Sequence, residues 1–185
     1  GGMSTKTWLA SPVGLAKAQL PANKCKVYFL LFGGNDIRDY DGLANLGTIS
    51  DVHVGNEDQN PATYYGNYSR VLAHLKSIGG QRTKIFAFTY ALNFNANTLM
   101  PTYNNATKSV CALYDDVYCI DIEHDPVING EQITAEKYWG HFSAHGYKLI
   151  ADRLEHLVDK FVEANPVEFH DIQWTGTNYD IAEWY

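Results

Sequence analysis

Two short segments hold residues whose types and spacing suit acyl transfer. The first is Gly33-Gly34-Asn35-Asp36, directly after an apolar run at residues 26–32. Glycines let a chain turn sharply and bring its backbone close to a ligand. An asparagine held at such a turn can aim a neutral amide donor at a developing oxyanion. The same tetrad also reads as an Asn-Asp turn that closes a strand and caps the segment after it. The second segment is His141-Phe142-Ser143-Ala144-His145-Gly146-Tyr147. A histidine in a loop at a helix start can reach a cleft and act as general base near neutral pH. His141 and His145 stand four apart, which would suit a metal if both lay on one helical face. Gly146 and the lack of a carboxylate between them argue against that use. The plainer reading makes His141 an ordinary loop histidine and Ser143 the helix N-cap.

Both segments need a scaffold, and the hydrophobic pattern supplies one. Residues 26–32 (KVYFLLF) form a continuous apolar run, which reads as a central strand buried on both faces. Asn60-Pro61 then opens a helix. Its apolar face carries Tyr64, Tyr68, Val71, Leu72, Leu75 and Ile78, and Gly79-Gly80 stops it. Residues 84–91 predict a second buried strand, residues 98–113 a helix and residues 117–122 a third strand. In the last helix Tyr147, Ile150, Ala151, Leu154, Leu157, Val158 and Phe161 share one stripe, and Asn165-Pro166 ends it. A further helix is expected at about residues 7–20. Strands alternating with helices predict an α/β fold, a three-layer α/β/α sandwich around a parallel sheet, with functional loops at the carboxyl ends of its strands. Residues 1–164 form this domain. Residues 165–185, with Trp174, Trp184 and Tyr185, match no element and read as an extension, a linker or an interaction tail.

Composition narrows the function classes. A chain of 185 residues is long enough for one well-buried core. The net charge of -7 argues against nucleic-acid and anionic-membrane partners, which need clustered Lys and Arg. No apolar run approaches the roughly 20 residues of a membrane span. Cys25, Cys111 and Cys119 form no CxxC pair, so they read as free thiols rather than a metal knuckle. Many of the 13 Tyr and 4 Trp fall in apparent loops, which is compatible with a carbohydrate- or protein-contacting surface.

Taken together, the two segments and their setting resemble the SGNH (GDSL) hydrolase family, whose fold is flavodoxin-like. Gly34-Asn35-Asp36 matches that family's third block, G-x-N-D. His141, Gly146 and Tyr147 fit its fifth, D-x-x-H continuing as H-P-x-x-x-G-Y, with Phe142 where proline is common. The resemblance spans about residues 1–162. It implies that Asn35 is an oxyanion donor and His141 the base that deprotonates a serine, with Gly34 and Asp36 in support. Gly1-Gly2-Met3-Ser4 is similar to the second block, in which Gly2 would give its backbone N–H to the oxyanion hole. These glycines also fit a remnant appended ahead of an engineered start.

Two positions depart from the family pattern. No Gly-Asp-Ser occurs, so the nucleophile is expected on a strand upstream of this chain. Ser4, Ser11, Ser50, Ser69, Ser77, Ser109 and Ser143 all lack its context. The family's aspartate, three residues before the histidine, is Tyr138 here. Glu136 stands nearby at an unsuitable spacing, a backbone carbonyl could orient His141 instead, and Tyr138 could donate to substrate. The resemblance implies a serine ester hydrolase, an esterase or a carbohydrate de-O-acetylase, acting on a small-molecule or glycan ester without metal or organic cofactor. The alternative is a non-catalytic module of the same fold that binds glycan or protein within a larger cell-surface or viral protein. An unrelated nucleotide-binding α/β protein is a third reading, although the chain has no GxGxxG or GxxxxGK[ST] loop.

Overall fold

The computed structural model describes residues 2–80, 82–95 and 97–170. Gly1 and the aromatic tail with Trp174, Trp184 and Tyr185 lie outside the described residues. Three strands, β1 (Val27–Leu31), β2 (Lys84–Phe88) and β3 (Val117–Ile120), form a parallel sheet in the order β1-β2-β3. Val27 faces Lys84 and Leu31 faces Phe88, while Ile85 faces Val117. The helices are α1 (Thr5–Ala10), α2 (Leu15–Ala18), α3 (Asp36–Asp39), α4 (Tyr64–Gly79), α5 (Met100–Cys111), α6 (Glu131–Thr134), α7 (Ala144–Ala164) and α8 (Pro166–Phe169). Between α6 and α7 lies an antiparallel hairpin, β4 (Lys137–Tyr138) and β5 (His141–Phe142).

The pleat of β2 explains the layering. Successive strand residues point to opposite faces, and all five residues of β2 are buried. Ile85 and Ala87 join a core with Tyr64, Tyr68, Val71, Leu72 and Leu75 of α4 and Tyr103, Ala106 and Val110 of α5. Phe86 and Phe88 join an opposite core with Val158 of α7 and Phe169 of α8. Helices therefore cover both faces of this strand, as the alternating pattern predicts for an α/β chain. Asp125, in the loop after β3, holds α7 against the sheet through Arg153, with Nη2 2.7 Å from Oδ2. No helix among the described residues is long and apolar enough to cross a membrane.

Strand β1 is not central, contrary to the sequence expectation. It ends the sheet among the described residues, and Phe29 and Leu31 are 55 % and 39 % exposed. A continuous apolar run describes a strand with two apolar faces but not the number of its neighbours. Leu30 turns into the α4–α5 core. The Phe29 ring stacks on Phe86 and Phe88 at 5.6 and 6.4 Å, beyond the part of that face that α7 covers.

Two helix expectations also shift. Helix α4 starts at Tyr64, with the Thr63 hydroxyl accepting from the Gly66 N–H. Asn60 instead turns inward, donating to Ser69 Oγ at 3.0 Å and accepting from the His53 N–H at 2.8 Å. The single helix expected at residues 7–20 is two, α1 and α2, because Pro12 cannot donate to a continuing helix. Helix α7 begins as expected: Ser143 caps it, accepting from the Gly146 N–H at 3.0 Å.

Candidate functional site

The chain leaves β1 through Phe32 and turns at Gly33 (φ 140°), a conformation that favours glycine. Asp36, fully buried at the start of α3, fixes this turn. Its Oδ2 accepts from the Gly33 N–H at 3.0 Å. Its Oδ1 accepts from both the N–H and the hydroxyl of Thr5, at 2.8 and 2.7 Å. Tyr40 Oη lies 2.9 Å from Thr5 Oγ1 and accepts from Asn67 Nδ2 at 2.7 Å. One turn along α3, Asp39 accepts from Ser4 Oγ at 2.6 Å. The two carboxylates thus fasten the start of α1 to the end of β1. Burial raises the Asp36 carboxyl above its ordinary value, against the opposing pull of its hydrogen bonds from Thr5 and Gly33. The Ser4 hydroxyl holds Asp39 below its own.

This clamp brings Asn35 against the segment that carries Gly2. Asn35 Nδ2 donates to the Met3 carbonyl at 3.3 Å, one residue from Gly2. An amide nitrogen carries two hydrogens, so this contact uses only one of them. Gly2 has φ 80°, and a Cβ built there would meet nothing within 4 Å. The Asn35 amide therefore lies against the backbone next to Gly2, at the carboxyl end of a parallel strand. Sequence reading missed Ser4, Thr5, Asp39 and Tyr40 as the clamp. The available signal was the cap of α1, where Ser4 N–H donates to Thr7 Oγ1 at 2.7 Å.

Gly34 has a separate reason to be glycine. A Cβ there would lie 2.5 Å from Tyr90 Oη and 2.7 Å from Cζ. The Tyr90 backbone is held by Asn104, with its N–H on Oδ1 at 2.7 Å and its carbonyl on Nδ2 at 2.9 Å, and its ring is packed edge-on against Phe94, so it cannot swing away freely. Gly34→Ala is therefore expected to destabilise the fold by about 1–3 kcal/mol in urea titrations. The same change in a Tyr90→Ala background should cost much less, because the clash partner is gone.

From Tyr90 an aromatic run leads to His141. Phe94 packs edge-on to Tyr90 with centroids 5.2 Å apart, Phe142 lies 5.7 Å from Phe94, and Tyr147 lies 5.8 Å from Phe142. Tyr147 Oη stands 3.4 Å from His141 Nδ1. Burial and then the neighbouring Tyr147 push the Tyr90 hydroxyl up. The position that is proline in the family pattern, Phe142, is thus a packing member of the floor that links both segments.

The hairpin decides the remaining site residues. Tyr138 pairs with His141 across the ladder, and the two-residue turn between them holds Trp139 at φ 50° and Gly140 at φ 81°. Tyr138 is 74 % exposed on this tip. Glu136 serves other partners: it accepts from the Ser143 hydroxyl and pairs with His145 Nδ1 at 2.9 Å. The Ser143 hydrogen bond, and then His145, hold its carboxyl below the ordinary value. His141 lies on β5 and His145 on α7, so the two histidines do not share a helical face. Among the described residues, the neighbour of the exposed His141 ring is the Tyr147 hydroxyl rather than a carboxylate. No family model matches this chain, and no curated protein matches it.

Proposed function

We propose that this chain is the larger part of an SGNH-type serine ester hydrolase whose nucleophile enters on a strand supplied from upstream. The observation that carries the reading is the hydrogen bond from Asn35 to the Met3 carbonyl, next to Gly2, at the end of β1. The aromatic run from Gly34 to the His141 hairpin joins that pair to a candidate base. In this reading the Gly2 N–H and the Asn35 amide receive the oxyanion of the tetrahedral intermediate. His141 takes the serine proton and returns it to the leaving alcohol; a water molecule then repeats the sequence on the acyl-enzyme. The Tyr147 hydroxyl beside Nδ1 leaves Nε2 as the working nitrogen. The edge that β1 presents among the described residues, with Phe29 and Leu31 exposed, suits an added parallel strand.

A longer protein that includes the upstream segment should hydrolyse an aryl acetate and react covalently with a fluorophosphonate. Peptide mapping should find the label on an upstream serine. A label on any serine of the present chain, or no label at all, refutes the assignment.

A further inference from the structure

The tip of the β4–β5 hairpin presents two large aromatic rings to solvent beside His141. Tyr138 is 74 % and Trp139 85 % exposed, and their rings meet edge to face with centroids 6.1 Å apart. Neither belongs to the two hydrophobic clusters that stabilise the fold. The Trp139 backbone is also held at φ 50°, in a turn whose central positions favour Gly, Asn or Asp. A bulky residue in the left-handed region is strained. Strain kept on an exposed ring at the border of a candidate site points from conformation to function.

The surroundings indicate the ligand. Tyr138 faces His141 across the ladder, and Tyr147 adjoins them at 51 % exposure. The rim is hydrogen-bonding rather than aliphatic: Glu136 is half-buried, while His141 and His145 are exposed. Flat aromatic faces with polar groups at their edge suit a pyranose ring, whose C–H face stacks while its hydroxyls bond at the rim. A protein hot spot calls instead for a packed surround that excludes water. The net charge of -7 disfavours anionic polymers and anionic lipid surfaces. We infer that the Tyr138–Trp139 tip is a sugar-binding subsite, stacking a pyranose ring of an O-acylated glycan with its ester directed at His141. The ester part rests on the hydrolase reading, whereas the stacking needs no turnover.

The test applies the 185-residue chain to an array of O-acetylated and unacetylated hexopyranose glycans. Trp139→Gly is the informative variant, because glycine relieves the positive φ and its melting temperature should be no lower than the parent's. Binding to at least one glycan is expected. It should fall about tenfold or more in Trp139→Gly and persist in Trp139→Phe, which restores a flat ring. No binding on the array, or binding untouched by Trp139→Gly, overturns the subsite. Trp139-dependent binding by a longer protein that takes no fluorophosphonate label sustains the subsite and removes the hydrolase reading. An active, labelled enzyme whose glycan binding ignores Trp139 does the reverse.

Discussion

Asp36→Ala is expected to cost about 3 kcal/mol of stability, from the penalty for leaving buried donors unpaired. The variant orphans the Gly33 N–H and the Thr5 N–H and leaves the Thr5 hydroxyl only Tyr40 Oη, all in a buried site. Against a total of roughly 5–15 kcal/mol, that is a large fraction. Asp36→Asn keeps one acceptor oxygen but turns an NH₂ towards one of the donors, so a smaller loss is expected. The pH dependence has a definite sign. Burial holds the Asp36 carboxyl above its ordinary 3.8, so folding favours its protonated form. The stability from this shift is complete below pH 3.8 and drains away as pH rises through the raised value. Alanine does not titrate, so its deficit should be widest in acid and narrow towards neutrality. Urea titrations of both proteins at acid and neutral pH check this. A deficit that widens with rising pH would contradict a burial-raised carboxyl.

The layered sheet was legible in the sequence because β2 is a short continuous apolar run and α4 shows a helical apolar period. Neither the rank of β1 in the sheet nor the clamp was legible. An apolar run such as residues 26–32 reads the same whether one neighbour strand or two lie beside it, and only the packing of α7 decides which side chains stay wet. Asn35 and His141 stood out by residue type and setting. Their supports did not, because a buried polar contact has no periodic signature. Thr5 and Asp36 are 31 positions apart, and each alone looks like a surface residue. Tyr147 counted as part of the apolar stripe of α7, yet its ring packs on Phe142 and its hydroxyl faces His141. Glu136, whose spacing is unsuited to a substitute acid, has partners the sequence does not reveal: its two oxygens meet Ser143, the cap of α7, and His145.

On the proposed hydrolase reading, these contacts separate two ways of losing activity. In the longer protein, His141→Ala should lower kcat/KM for an aryl acetate by about 10²- to 10⁴-fold, the usual worth of a positioned general base. The melting temperature should barely change, since His141 is exposed and its ring approaches the Tyr147 hydroxyl only at 3.4 Å. Glu136→Gln should show the opposite pattern. It weakens the bonds to Ser143 and His145 that hold the start of α7, so stability falls while kcat stays within a few-fold of the parent. Were Glu136 the group that orients the base, its loss would instead match that of His141 in kcat. Tyr147→Phe completes the comparison: it removes the hydroxyl beside Nδ1 while keeping the ring on Phe142. A fall in kcat with an unchanged melting temperature makes Tyr147 the positioning residue. Full activity in His141→Ala would move the base away from this hairpin altogether, and with it the role of the aromatic run that joins the hairpin to Asn35.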